Sequence, residues 1–172
     1  FSIVLEGTTR LDRFYGAELG GATGLQQMSP PDRGRYYYLT PRYGHLYSTY
    51  PITTPVLVTP LYAPFVWLTK DWSTEKILRL APIAEKLAAS LIASLSVVFM
   101  YLLLCALTTP RRALLLALAF SFATTTWTTS SQALWQHGPG VLFIVLTLAA
   151  LELRPDSPWF AGLAAGIAAD CR

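Results

Sequence analysis

The sequence predicts an all-α fold, a polytopic membrane helix bundle with a long external first loop. Three observations lead there. Hydrophobic residues make up 53% of the chain and charged residues only 13%, about half the charged share of a soluble domain, and the mean hydropathy is +0.41. Residues 87–107 carry no formal charge, and about 20 apolar residues are enough to cross a hydrocarbon core of about 30 Å. The stretch 6–82, by contrast, is polar, rich in Tyr and Pro, and far too long for a turn between helices.

The elements follow in order. Phe1-Ser2-Ile3-Val4-Leu5 reads as the end of a truncated membrane helix, and the chain as an internal piece of a larger membrane protein. Residues 6–82 form the external loop with short interfacial helices. Its first part, up to Tyr50, is dense in Gly and Pro, which predicts turns and short elements. Tyr36, Tyr37, Tyr38, Tyr43, Tyr47 and Tyr50 suit a membrane–water boundary. Pro51, Pro55, Pro60 and Pro64 punctuate an apolar run. A proline inside a helix removes a hydrogen bond, so a broken or re-entrant hairpin is expected there.

A short polar helix is expected to start at Ser73 as N-cap, with Glu75 and Arg79 paired at i, i+4. Pro82 then suits the first turn of the next helix. Residues 83–172 hold the membrane helices, at about 87–107, 113–131, 139–153 and a truncated 159–169. Ser90, Ala93 and Ser94 supply small packing positions. The hydroxyl run Thr124 to Ser131 serves either helix packing or the lining of a polar cavity. Arg111-Arg112 and Arg154 fall in turns on one face and the turn at Trp135–Gly138 lacks Lys and Arg. The positive-inside rule makes the Arg-bearing turns cytoplasmic and the long loop external.

Net charge is +3, but the basic residues are dispersed, which argues against nucleic acid. Two cysteines and two histidines show no metal-ligand spacing and no Gly-rich phosphate loop is present, so no cofactor is expected, a divalent metal being left open without support from the residues. The loop does contain carboxylates, Glu6, Asp12, Glu18 and Asp32, among Arg10, Arg13, Arg33, Arg35 and Arg42, together with His45. A carboxylate can take a proton from an acceptor hydroxyl while arginines neutralise a departing phosphate. For any one of these residues a solvated surface charge is the commoner role. His137, in a Gly-Pro-bounded turn, is by itself a turn or interface residue.

The order of several segments resembles a family. Leu11-Asp12-Arg13-Phe14 follows a helix end, then come Tyr43-Gly44-His45-Leu46-Tyr47-Ser48-Thr49-Tyr50-Pro51, Thr54-Pro55-Val56-Leu57, Glu85-Lys86-Leu87 and Leu134-Trp135-Gln136-His137-Gly138-Pro139. Together these resemble the N-terminal part of prokaryotic integral-membrane glycosyltransferases of the GT-C superfamily, the dolichyl-phosphate-mannose protein mannosyltransferase-like group. The resemblance implies a plasma-membrane enzyme that moves a sugar from a polyprenyl-phosphate donor to a protein, lipid or glycan acceptor on the non-cytoplasmic face. It implies Asp12 as the catalytic base, with Glu6 and Asp32 as alternates because relatives often read Asp-Glu where this chain reads Asp12-Arg13. Arg10, Arg13, Arg42, His45, Tyr47 and His137 are the implied substrate-binding residues. Two other classes fit the composition: a membrane transporter or channel subunit, its Thr-rich helix lining a path, and a non-catalytic membrane assembly protein.

Overall fold

A computed structural model describes residues 1–171, apart from the side chain of Ala17. The described residues are predominantly helical with one two-stranded hairpin, and the chain divides into two compact units, Phe1–Pro82 and Ile83–Arg172.

The first unit starts with α1 (Ser2–Glu6), α2 (Asp12–Leu19), α3 (Gly21–Gln27) and α4 (Pro30–Arg33). A single 3₁₀ turn, Gly34–Tyr36, leads into β1 (Leu39–Arg42) and β2 (His45–Ser48), and then α5 (Thr53–Thr69). The strands are antiparallel, with Leu39 opposite Ser48 and Arg42 opposite His45. Between them Tyr43 and Gly44 both take positive φ, 50° and 76°, the conformation of a type I′ turn, whose twist matches that of a two-residue hairpin. Leu19, Ala22, Leu25, Tyr36, Leu39 and Leu46 form a core between the short helices and the hairpin, with Leu11, Tyr15, Met28 and Tyr38 packed around it. So the Gly- and Pro-dense stretch buries its own apolar cluster. The sequence reading expected short helices there and missed the hairpin.

The proline-rich stretch corrects the reading outright. It is one continuous helix, α5, with Pro60 and Pro64 inside it, not a broken hairpin. Pro51 precedes the helix and Pro55 lies in its first turn, where the N–H has no helical partner in any case. Only Pro60 and Pro64 remove a bond. Their i, i+4 spacing gathers both losses on one side, where Val56, Pro60 and Pro64 are all exposed. Thr54, Val58, Val66 and Thr69 are buried, and α1 packs on this helix, with Phe1 and Tyr62 edge to face at 5.3 Å.

A second correction concerns Pro82. The polar start and the apolar run form a single helix, α6 (Thr74–Leu107), with Pro82 inside it. Pro82 is exposed, so the carbonyl it frees can be solvated. The Glu75–Arg79 pair forms, at 2.6 Å and largely in solvent.

Beyond α6 the second unit contains α7 (Pro110–Phe122), a π-helical turn at Thr126–Ser130, α8 (His137–Leu153) and α9 (Pro158–Asp170). Pro110 and Pro158 stand in the first turn of their helices, where proline is favoured. The expected helix 113–131 ends early, at Phe122. Thr124 Oγ1 bonds to the Phe120 carbonyl and accepts from the Thr126 N–H, and Ser131 Oγ donates to the Trp127 carbonyl. Hydroxyls that satisfy nearby backbone groups in this way compete with the regular i→i−4 ladder. Ser90 donates to the Ser131 carbonyl at 3.1 Å, which joins α6 to the end of that turn.

Most buried positions in this unit are small residues and many exposed ones are large and apolar, although Ile92, Leu103, Leu142 and Val145 are buried as well. On α6, Ala84, Ala88, Ala89, Ile92, Ala93 and Ser96 are buried, while Leu87, Leu91, Leu95, Val98 and Leu102 are exposed. On α7, Ala113 and Ala117 are buried beside exposed Leu114, Leu115, Leu116 and Leu118. On α9, Ala161, Ala164 and Ala168 are buried, and Trp159, Phe160 and Leu163 exposed. Among the described residues one helix, Thr74–Leu107, is long and apolar enough to cross a membrane, with a mean hydropathy of 2.4 over its most apolar window, and His137–Leu153 is a shorter apolar helix.

Candidate functional site

The first unit brings Asp12 and His45 together across 33 positions of sequence. The cause is local. Arg10 bridges Tyr47 in antiparallel fashion, the Leu11 N–H donates to the Leu46 carbonyl at 2.8 Å, and the chain then turns into α2. A strand would next offer a backbone carbonyl to the Leu46 N–H. The Asp12 side chain takes its place, with Oδ1 accepting that N–H at 2.8 Å. The other oxygen, Oδ2, lies 2.7 Å from His45 Nδ1. Asp12 is also in the first turn of α2, where the helix dipole favours a carboxylate. Both side chains are 35% exposed, so the pair is held by protein and open to solvent.

Alternation along the strands decides what lies beside it. Thr40 pairs with Tyr47 and Arg42 with His45, and directly opposed residues share a face. Arg42, His45, Tyr47 and Thr40 therefore line one face of the hairpin, while Leu39 and Leu46 turn into the core. The Arg42 guanidinium lies over the Tyr43 ring, 5.1 Å from its centroid. Thr40, Arg42, Tyr43, Tyr47, Ser48 and Thr49 line an open depression of about 550 Å³. Hydroxyls, two aromatic rings and a guanidinium are groups able to engage a polar, hydroxylated or phosphorylated ligand.

Of the residues singled out from sequence, Asp12, His45, Arg42 and Tyr47 meet around the hairpin, with Arg10 bridged to Tyr47. Arg13 forms a loose ion pair with Glu6 at 3.7 Å, on the neighbouring turn. Asp32 is exposed in α4 and accepts the Ser29 hydroxyl, a contact within its own helix start. His137 is exposed at the start of α8, in the second unit. Thr40, Tyr43, Ser48 and Thr49 were missed. The available signal was Gly44, a turn former, between Leu39-Thr40-Pro41-Arg42 and His45-Leu46-Tyr47-Ser48, two short stretches in which polar and apolar residues alternate. Among the described residues no three His, Cys, Asp or Glu side chains gather to hold a metal ion.

Beneath the hairpin lies a tyrosine cluster. Tyr36 donates to Glu18 Oε1 at 2.6 Å, and that bond, followed by burial, raises its hydroxyl pKa above the ordinary 10.0. Tyr15 meets Tyr38 edge to face at 5.9 Å. Burial, then the hydrogen bond with Tyr38, pushes the Tyr15 hydroxyl up to about 12. Tyr15 and Tyr36 stay neutral at physiological pH and serve as support for the strands above them. No family model, curated protein or solved structure matches this chain.

Proposed function

We propose that the chain belongs to a polytopic membrane glycosyltransferase that moves a sugar from a polyprenyl-phosphate donor to an acceptor on the non-cytoplasmic face. The observation that carries this reading is the Asp12–His45 pair, 2.7 Å apart and solvent-accessible, on a hairpin face that also carries Arg42 and Tyr47.

The pair supplies a proton acceptor for the acceptor hydroxyl. Arg42, with Arg10 near the other end of the strand, supplies positive charge for the phosphate that leaves. Attack by the hydroxyl on the anomeric carbon with departure of lipid phosphate inverts that carbon. The membrane part of the reading is supported by the second unit's arrangement of small buried and large exposed apolar residues. Large contiguous apolar faces are costly in water, and small residues are what membrane helices place at their contacts.

The test is sugar transfer by membranes carrying the protein, across a panel of polyprenyl-phosphate sugars, for the native chain and for Asp12→Asn and Arg42→Ala. Loss of about 10²–10⁴ in turnover with Asp12→Asn at matched folded protein is expected, the range for removal of acid–base catalysis. No transfer from any donor would reject the reading, whereas transfer that Asp12→Asn leaves unchanged would reject this site and move the base to Glu6 or Asp32.

A further inference from the structure

We infer that the proton acceptor is His45 Nε2 and that Asp12 is a positioning residue acting through it. This rests on the glycosyl-transfer reading and assigns the roles within its site. Both Asp12 oxygens are engaged, Oδ1 by the Leu46 N–H at 2.8 Å and Oδ2 by His45 Nδ1 at 2.7 Å. A carboxylate accepts only, so in neutral His45 the proton sits on Nδ1 and the Nε2 lone pair is left free. The imidazole side chain is 35% exposed, and it shares its strand face with Arg42 and Tyr47. The charged or titratable groups placed around it are Asp12 from α2, Arg42 across the hairpin, Tyr47 on its own strand and Arg10 bridged to Tyr47.

The step balances without a further reactant. The acceptor O–H proton passes to Nε2 as the oxygen lone pair forms the bond to the anomeric carbon. The anomeric C–O bond to phosphate breaks, and its electron pair leaves on the phosphate oxygen. The imidazolium then returns its proton to water, and Asp12 stays ionised throughout, as an orienting carboxylate does in a catalytic triad.

Asp12→Asn separates this role from a purely structural one. An Asn carbonyl still accepts the Leu46 N–H, so the strap that holds α2 to β2 is kept. The Asn amide then donates to His45 Nδ1 and moves the imidazole proton to Nε2, where it blocks acceptance.

The experiment has two arms. The first is nitrogen NMR of labelled histidine in the protein in micelles, in mildly alkaline solution where imidazole is neutral, with His137→Gln used for assignment. The expected result is a proton on His45 Nδ1 in the native chain and on Nε2 in Asp12→Asn. A proton on Nε2 in the native chain would overturn the inference. The second arm is donor kinetics for Asp12→Asn, His45→Gln and the double variant. Each single change should lower kcat about 10²–10⁴-fold with little change in KM for the donor, and the double variant should be no slower than His45→Gln alone. If His45→Gln keeps its kcat, or Asp12→Asn costs its full factor in the His45→Gln background, Asp12 is itself the acceptor. Absence of transfer by the native protein rejects the glycosyl-transfer reading and this role with it. An Nε2-protonated His45 in an active enzyme rejects this inference alone.

Discussion

The Glu85 carboxylate accepts the backbone N–H of Leu134 at 3.0 Å, tying α6 to the segment that enters α8. Without it a half-buried backbone donor would lack a partner. Glu85→Ala should therefore lower stability by about 1–3 kcal/mol, the usual cost of leaving such a group unmet. Glu85→Gln keeps a carbonyl acceptor and should lose under half as much. Thermal unfolding of both variants in micelles tests this, and equal losses would mean that the charge matters and the hydrogen bond does not.

Gly24 permits a close approach between neighbouring helices. A Cβ added there would lie 1.8 Å from the Leu19 carbonyl oxygen, at the end of α2. Backbone cannot swing aside as a side chain would. Gly24→Ala should cost about 1–3 kcal/mol, as overpacking does, and should loosen the core that contains Ala22 and Leu25. Amide exchange in α3 is the readout, and native-like protection would refute the prediction.

Tyr43 holds φ at 50° and is 83% exposed. A bulky residue in the left-handed region bears a steric penalty that Asn largely escapes. Tyr43→Asn should stabilise the hairpin by about 1 kcal/mol, seen as slower amide exchange along residues 39–48. A neutral or negative effect would mean that the ring's contact with Arg42 outweighs the strain.

The tyrosine cluster predicts an alkaline instability. The folded-state pKa of Tyr15 is raised from 10.0 to about 12, so the folded chain retains a proton that the unfolded chain gives up first. Its stabilising contribution is whole below pH 10 and falls as pH rises from about 10 to about 12. Tyr15→Phe should flatten the stability curve over that window. A curve that keeps its slope in the variant would assign the alkaline loss to another group.

How much was legible follows from which forces are local. The start of α9 was read to within one residue, at 159 against Pro158, while that of α7 was placed at 113, three residues past Pro110, the proline in its first turn. The early end of α7 could not be read, because it depends on hydroxyls such as Thr124 and Ser131 choosing backbone partners. α5 was misread because proline was counted residue by residue, whereas the outcome depends on where Pro60 and Pro64 fall relative to the exposed side. The nearness of Asp12 to His45 could not be seen in the sequence. It requires the bridge from Arg10 to Tyr47, a pairing without a pattern in either segment. The resemblance had singled out both residues, but not their contact.

The hairpin is also closed to growth. Leu46 directs its N–H and carbonyl away from β1, and both are taken, by Asp12 and Leu11. Pro41 stands opposite Leu46, so its nitrogen faces the other margin of the sheet and has no hydrogen to offer. One margin is occupied and the other interrupted, and a passing chain finds no continuous ladder to extend. A two-stranded sheet that ends itself on both sides can stay exposed without seeding intermolecular β-assembly.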